Sequence, residues 1–443
     1  MTAALGILQL LICMLIVVHE YNRRSIALFF WGMVCVVFAL PHAIDTFVGG
    51  YSFSDRTMET ASLFVVLFSL VYLITRQVRL KNPKRVDSSA GALEVRASDS
   101  SGIRSQEYVS VFVAVFLAVW IALFSKNNFG GVGNASWGAI YSAQSGLATP
   151  VFALAPYLFA SIAGAVIVLW GKKRRALLLV LLLSCLAFLL ITRNRVVMLS
   201  MVCPLCILVA SRVKKLSIKH AMLGLLLVFL VVYIVYAILV FRHAGTAGSF
   251  FSSYDFASFN GEVLSSILSG EGELGLRNIF YFFIENGNHF EGFSQGATYI
   301  RMLLFWLPSG IGDAVKPDDF AITMASAYMG NPSNETYSVH PTFFGDAFAN
   351  FGFLGFLIGI FWGALFNVFD VWMSKLDLRI KAYIVSAWSY ALVLIGRGSV
   401  YNGLMIGIVA TIIIFCISAS LSFFAKRRTD STRDSQGKRY EAN

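Results

Sequence analysis

Charge is scarce in this sequence, since Asp, Glu, Lys and Arg together make up only 13% of its 443 residues. An ordinary soluble domain carries about a quarter. Hydrophobic residues reach 57%, and the mean hydropathy is +0.72. This balance excludes a disordered chain, a soluble enzyme and a fibrous repeat. It predicts a membrane protein that crosses the bilayer many times.

Signals for metal, nucleotide and nucleic-acid binding are also lacking. The six cysteines lie in apolar runs, and the Cys203-Pro-Leu-Cys206 spacing falls inside a predicted span, where two small buried side chains are expected. No Walker pattern and no glycine-rich phosphate loop is present, so no nucleotide site is expected. The net charge of +11 is interpreted as anchoring to anionic lipid and as an orientation signal, not as nucleic-acid binding.

Eleven apolar runs are long enough to cross a bilayer, which takes about 17–25 residues each. They fall at 3–20, 25–44, 57–75, 108–125, 151–170, 176–192, 196–211, 220–241, 343–369, 382–396 and 404–425. With the N-terminus outside, the six inside segments hold 26 of the 35 basic residues. Because basic residues favour the cytoplasmic side, this pattern predicts an outside N-terminus and a cytoplasmic C-terminus.

The chain is predicted to divide into four parts. Residues 1–241 form an N-terminal membrane bundle of about eight spans, and 343–425 form a C-terminal bundle of about three. Between them, residues 242–342 form a large outside segment with ten acids and four bases. Its short apolar stretches, Ile279–Ile284 and Met302–Leu307, are predicted to lie at the membrane interface. Residues 426–443 are predicted to be a disordered cytoplasmic tail.

Arginine dominates the outside basic residues, where it accounts for seven of nine, against 15 of 26 inside. Its planar fork binds phosphate through two hydrogen bonds and keeps its charge. Outside positive charge opposes the orientation rule, so the set predicts a diphosphate-binding site, while any single arginine fits an interface anchor equally well. The candidates are Arg193, Arg195, Arg242, Arg277, Arg301 and Arg397.

A second polar group lies where the ninth run begins. His340 precedes a proline and is suited to take a proton from a sugar hydroxyl, or it is simply a loop histidine before a turn. Asp346 and Asn350 are four residues apart and so share one helix face. Polar groups at membrane depth face the protein interior or a wet cavity. Glycines that allow close helix packing follow at 352, 355, 359 and 363.

Aromatic and acidic residues of the outside segment are open to two interpretations. Trp306 and Tyr337 suit stacking on sugar rings and packing within the segment equally well. Acids such as Glu271 and Asp318 have the ligand type for a divalent ion, but a solvated loop face is the better interpretation, and no metal site is predicted.

Together these features resemble the Wzy-type O-antigen polymerases and, more distantly, the O-antigen ligases. The resemblance rests on the many spans with one large outside segment, on Thr192-Arg-Asn-Arg195 opening a span, and on the His340-Pro-Thr…Gly-Asp…Asn350-Phe-Gly-Phe-Leu-Gly run. It implies a GT-C-like, all-α bundle in a bacterial inner membrane. It also implies functional arginines in two outside segments, matched here to Arg193 or Arg195 and to Arg242, and more loosely to Arg277 and Arg301.

The activity that this resemblance implies is polymerisation of undecaprenyl-diphosphate-linked oligosaccharide repeat units on the periplasmic face. It implies no metal or other cofactor, and a chain-length regulator protein as a partner. An in-line displacement would invert the anomeric centre, with His340 as base, oriented by Asp346. A ligase that transfers the glycan to lipid A core is the alternative. A flippase is less favoured because the predicted spans carry little charge.

Overall fold

The computed structural model describes residues 1–49, 51–78, 255–268, 274–287, 294–304, 307, 315–317, 320–331, 338–416 and 418–419, with scattered positions between 161 and 240. Every regular element in these residues is a helix, which confirms the all-α class. The α-helices are α1 (Thr2–Asn22), α2 (Ala27–Val34), α3 (Leu40–Val48), α4 (Asp55–Gln77), α5 (Phe256–Leu268), α6 (Arg277–Asn286), α7 (Ala297–Leu303), α8 (Phe320–Met329), α9 (Thr342–Phe351), α10 (Ile358–Ser374), α11 (Leu378–Arg397) and α12 (Val400–Cys416).

Four helical stretches of the described residues are long and apolar enough to cross a membrane. They are Thr2–Asn22, Ala27–Val48, Asp55–Gln77 and Thr342–Ser374, and each overlaps a run predicted from the sequence. The runs at 382–396 and 404–425 correspond to α11 and α12. The five runs between 108 and 241 and the tail at 426–443 lie largely outside the described residues, so the count of eleven stays a prediction.

Successive spans alternate in direction, which gives the described bundle two ends. At the Glu59 end, where α4 begins, the Thr2 hydroxyl donates to Glu59 at 2.9 Å. At the opposite Arg76 end, where α4 finishes, Arg76 pairs with Asp370 of α10 at 2.8 Å. Thr342 lies between the two ends: next to it, the Phe343 ring centroid is 5.3 Å from that of Phe68, in the middle of α4, and 5.4 Å from that of Trp362.

Short polar signals fix the ends of α3 and α4 near Glu59. The Ser54 hydroxyl accepts the backbone N–H of Thr57 at 3.3 Å and so caps the start of α4. Helix α3 stops at Gly49, which has φ +76° and donates its N–H to the Asp45 carbonyl at 2.8 Å. A left-handed glycine is a common way to end a helix, because it carries no Cβ.

The predicted span at 343–369 is interrupted near its middle. Gly352 takes φ +60° and ψ −149°, and residues Gly352–Leu357 form a 3₁₀ turn between α9 and α10. This backbone region is open essentially to glycine alone. The break separates the polar first half, with Asp346 and Asn350, from the apolar second half.

Glycines pack α10 directly against α4. A Cβ built on Gly359 would lie 2.7 Å from the Phe68 carbonyl oxygen, and one on Gly363 would lie 2.9 Å from the Thr75 side chain. Only glycine permits this approach of two helix backbones. The packing role predicted for these residues is therefore confirmed.

Helix α6 of the outside segment lies inside the bundle. Ile279, Phe280, Tyr281 and Phe283 are all buried, and the Phe280 ring centroid is 5.6 Å from that of Phe64 and 5.7 Å from that of Phe348. The prediction of an interface helix at Ile279–Ile284 is therefore wrong: aromatic partners from α4 and α9 cover its apolar face, so that face is not left to lipid.

A buried charge network ties three helices together at the Arg76 end. The Arg76 guanidinium donates to both Glu20 oxygens, at 2.8 and 2.5 Å, and to Asp370 at 2.8 Å. It also donates to Asn367 at 2.7 Å. The sequence had placed Arg76 at the start of a basic loop; the structure buries it completely, with each of its nitrogens satisfied.

Candidate functional site

The start of α9 and the end of α11 meet through their backbones. Gly398 has φ +111°, and a Cβ there would lie 2.7 Å from the Thr342 Cα. The contact places Arg397, which ends α11, next to the segment from His340 to Thr342. Two residues that the sequence singled out separately, 57 positions apart, are thus brought to one place.

Thr342 itself is held in an unfavourable conformation. Its φ is +62°, and it is buried. A β-branched residue in the left-handed region is a genuine outlier, and such strain concentrates at functional sites. The Thr342 hydroxyl accepts the N–H of Gly345 at 3.3 Å, which fixes the turn that presents His340. His340 is half-buried.

Helix α7 is joined to α9 by a reciprocal pair of hydrogen bonds. The Thr298 N–H donates to the Asn350 side-chain oxygen at 3.2 Å, and the Asn350 amide donates to the Thr298 hydroxyl at 3.1 Å. Asn350 also donates to the Asp346 carbonyl at 2.8 Å, which confirms that these two residues share a helix face. Arg301 lies one turn after Thr298 on the same short helix.

Two cations of the outside segment lie over one aromatic ring of α12. The Arg301 guanidinium carbon is 4.8 Å from the Tyr401 ring centroid, and the Lys316 ammonium is 5.7 Å from it. Arg301 donates one N–H to the Pro317 carbonyl at 2.5 Å, while its buried Nε has no hydrogen-bond partner. Among the described residues, neither cation has a carboxylate partner.

This arrangement is suited to an anion. Each cation is attracted to the face of the ring, and a negative group beside the ring would be attracted to both of them. Sequence reasoning counted Lys316 among the outside bases without selecting it, and it missed Tyr401. No sequence pattern indicates that Lys316 lies next to Tyr401, 85 positions later.

The Asp346 carboxyl is buried and faces α7. Its partners among the described residues are the Asn350 amide, at 3.4 Å, and Thr298. No hydrogen bond between Asp346 and His340 is present among the described residues. Asp346 is inside the protein, as the sequence predicted, but its side chain is bonded to Asn350 and Thr298.

Arg277 is engaged in a contact between helices. It makes a two-bond ion pair with Asp45 of α3, with Nε and Nη2 at 2.5 and 2.9 Å from the two carboxylate oxygens. One turn later, the Tyr281 hydroxyl contacts the His42 ring at 2.5 Å, and the other His42 nitrogen contacts Ser62 at 2.7 Å. These bonds hold α6 against α3 and α4, so the Arg277 fork is occupied by a protein carboxylate.

The other predicted site residues lie outside the described part of the chain. They are Arg193, Arg195, Arg242, Trp306 and Tyr337. Within the described residues, no group of three or more His, Cys, Asp or Glu side chains is arranged to hold a metal ion.

Comparison of the chain with known proteins gives no match to a family model, a curated protein or a solved structure. The functional interpretation therefore depends on the geometry around Thr342 and Tyr401.

Proposed function

We propose that this protein is a membrane glycosyltransferase that polymerises oligosaccharide repeat units carried on undecaprenyl diphosphate. The reaction takes place around Thr342, in a site that opens to the periplasm of a bacterial inner membrane. The C-terminus then lies in the cytoplasm. A GT-C-like bundle of about eleven spans goes with this proposal, as does a chain-length regulator protein as a partner.

The observation that carries the proposal is the pair of cations on Tyr401. Arg301 and Lys316 lack a carboxylate partner among the described residues, and Tyr401 lies one turn after Arg397, whose neighbour Gly398 packs on Thr342. A lipid-linked diphosphate presents two negative groups, which matches two cations held beside one ring. Arginine binds it through paired hydrogen bonds, and lysine adds a point charge.

These residues stabilise the charge of the leaving diphosphate and position the two substrates. A hydroxyl oxygen of the acceptor's distal sugar attacks the anomeric carbon of the donor, and a new C–O bond forms. The bond from that carbon to the diphosphate oxygen breaks, and its electron pair leaves on undecaprenyl diphosphate. Arg301, Lys316 and Arg397 stabilise the leaving charge. His340 takes the hydroxyl proton, and a single displacement inverts the anomeric centre.

Arg193, Arg195 and Arg242 complete the diphosphate site in this proposal, while Arg277 serves to dock α6. Trp306, Tyr337 and Asn350 belong to the glycan side of the site. Asp346 lies beside Asn350 and contributes there and not through His340.

Gel profiles of lipid-A-linked glycan test the reaction class directly. A strain without the gene is compared with the same strain carrying it on a plasmid. A lost ladder with one repeat still attached to the core supports the polymerase. If every attached repeat is lost while polymer still accumulates on undecaprenyl diphosphate, the protein is a ligase. An unchanged profile would reject glycan transfer.

Variants at the two cations test the site. Arg301→Ala and Lys316→Ala should each shorten the polymer, and Arg301→Ala should slow transfer on the order of 10²-fold, the usual loss when one stabilising donor is removed. Arg301→Lys should recover only part of the activity, because the fork is lost. Arg56→Ala is the control, since Arg56 is an exposed arginine in the first turn of α4. Wild-type chain length in the Arg301→Ala, Lys316→Ala double variant would reject this site.

A further inference from the structure

The helix that carries Arg301, α7, is short and packs on the bundle mainly at its start. It has seven residues, and a helix of that length is not stable on its own. Ile300 and Leu303 are 44% and 75% exposed, so the face that holds them does not pack on the described bundle. The buried residues of α7 are Ala297 and Thr298, both in its first turn. The orientation of α7, and with it the place of Arg301, therefore depends on the bonds of that turn.

The first turn of α7 is capped from another helix. Its N-cap residue is Gly296, with φ +82° and no side chain that could accept a hydrogen bond. The N–H groups of Tyr299 and Ile300 both bond to the Gly296 carbonyl at 3.0 Å. The Thr298 N–H bonds instead to the Asn350 side-chain oxygen at 3.2 Å. An N-cap side chain normally accepts this bond from within its own helix, so Asn350 of α9 does for α7 what Gly296 cannot do.

Both ends of the Asn350 side-chain amide are bonded to protein groups. Its nitrogen donates to the Thr298 hydroxyl at 3.1 Å and to the Asp346 carbonyl at 2.8 Å. A backbone N–H can only donate, so the bond from Thr298 fixes which end of the amide is the oxygen. Asn350 is 1% exposed. On the glycan side of the site, Asn350 therefore acts through α7 and not by touching a sugar.

Arg301 carries the orientation of α7 to the other cation. It lies one turn after Thr298, with its guanidinium carbon 4.8 Å from the Tyr401 ring centroid. It also donates to the Pro317 carbonyl at 2.5 Å, and Pro317 directly follows Lys316 in the chain. A rotation of α7 would therefore move one cation relative to the other. A misplacement of about 1 Å at a reacting site can cost on the order of 10²-fold in rate.

We propose that Asn350 is a positioning residue of the diphosphate site, because it caps α7 and so fixes Arg301 beside Lys316 on the Tyr401 ring. The inference rests on the proposed function, and it adds a residue that supports diphosphate binding without contacting the diphosphate. If Asn350 acts through Arg301, changes at the two residues are not additive, since the position of the guanidinium no longer matters once it is removed. A residue that served only folding would have the same effect with or without Arg301.

A double-mutant cycle on pyrophosphate binding measures this coupling. The probe is inorganic pyrophosphate, titrated by calorimetry into the detergent-solubilised full-length protein. Asn350→Leu removes the amide at nearly constant volume, and it should weaken binding about threefold to tenfold, the size of one hydrogen bond. In the Arg301→Ala background, the same change should alter the affinity by less than about twofold. Thr298→Val removes only the hydroxyl bond and should show the same coupling at a smaller size.

Tyr281→Phe is the matched control, because it breaks a buried hydrogen bond in the contact between α6 and α3. It should lower the thermal unfolding temperature and leave pyrophosphate binding unchanged. Equal weakening by Asn350→Leu with and without the Arg301 side chain would overturn the proposal. Unchanged binding in Asn350→Leu, or no binding by the wild type, would also overturn it. If Asn350→Leu does not fold, the cycle with Thr298→Val decides by the same criterion.

Transfer by the wild type is scored separately, with the intact lipid-linked repeat unit as substrate. If transfer proceeds while the effects on pyrophosphate binding are additive, the proposed function stands and the positioning role of Asn350 falls. If the effects are coupled but no transfer occurs, Asn350 positions Arg301 and the proposed reaction falls.

Discussion

Replacing Gly398 with alanine tests whether the close contact with Thr342 holds the site together. Gly398 has φ +111°, and the new Cβ would lie 2.7 Å from Thr342 backbone atoms. An L-residue in the left-handed region costs about 1–2 kcal/mol, and forcing extra volume into a packed region costs about 1–3 kcal/mol more. Since neither backbone moves away easily, the expected loss is about 2–5 kcal/mol of unfolding free energy, with a matching loss of polymer.

Gly49→Ala separates the two contributions. Gly49 also has positive φ, at +76°, but nothing lies within 4 Å of a Cβ built there. It should lose only the conformational part, about 1–2 kcal/mol. Unfolding by sodium dodecyl sulfate in mixed micelles, followed by tryptophan fluorescence, measures both variants. Equal losses would refute the argument, because the Thr342 contact would then contribute nothing beyond the backbone conformation of the glycine.

Three further predictions concern the packing of the bundle. Arg76→Met strands the buried Glu20 carboxylate and should lower the unfolding free energy by about 3–5 kcal/mol; adding Glu20→Gln should recover part of it, and no recovery would contradict the ion-pair assignment. Gly359→Ala should cost about 1–3 kcal/mol against the Phe68 carbonyl, whereas Gly32→Ala, with open space around its Cβ, should be neutral or slightly stabilising in the same assay. Tyr281→Phe leaves a His42 nitrogen unpaired and should cost about 1–3 kcal/mol; an unchanged unfolding curve would mean that α6 does not depend on this bond.

The positions of the first apolar helices could be predicted from the sequence, because hydropathy is a local property. The first three candidate spans appear within a few residues of their predicted bounds, whereas the run at 343–369 is two helices, α9 and α10, with Phe343 packed on Trp362. The shared face of Asp346 and Asn350 also follows from helix spacing alone. So does the glycine packing, since small residues at helical intervals leave room for a neighbouring backbone.

The contacts between distant segments could not be predicted, because no local pattern records them. Arg76 has the same sequence context as any basic loop residue, and its partners lie 56 and 294 positions away. The Tyr401 ring receives two cations from a segment that precedes it by 85 residues or more. Helix α6 is too short to span and carries mixed residues, so only the aromatic rings around it reveal that it is a core element.

The burial of α6 bears on how the outside segment can be exchanged between proteins. A segment that only covered the bundle would behave as a cassette and could be transplanted between its two flanking spans. Here Asp45 and His42, which belong to the first spans, bind Arg277 and Tyr281 of that segment. A chimera must therefore carry both halves of this contact, and domain-swapping experiments designed around residues 242–342 alone will mismatch the core.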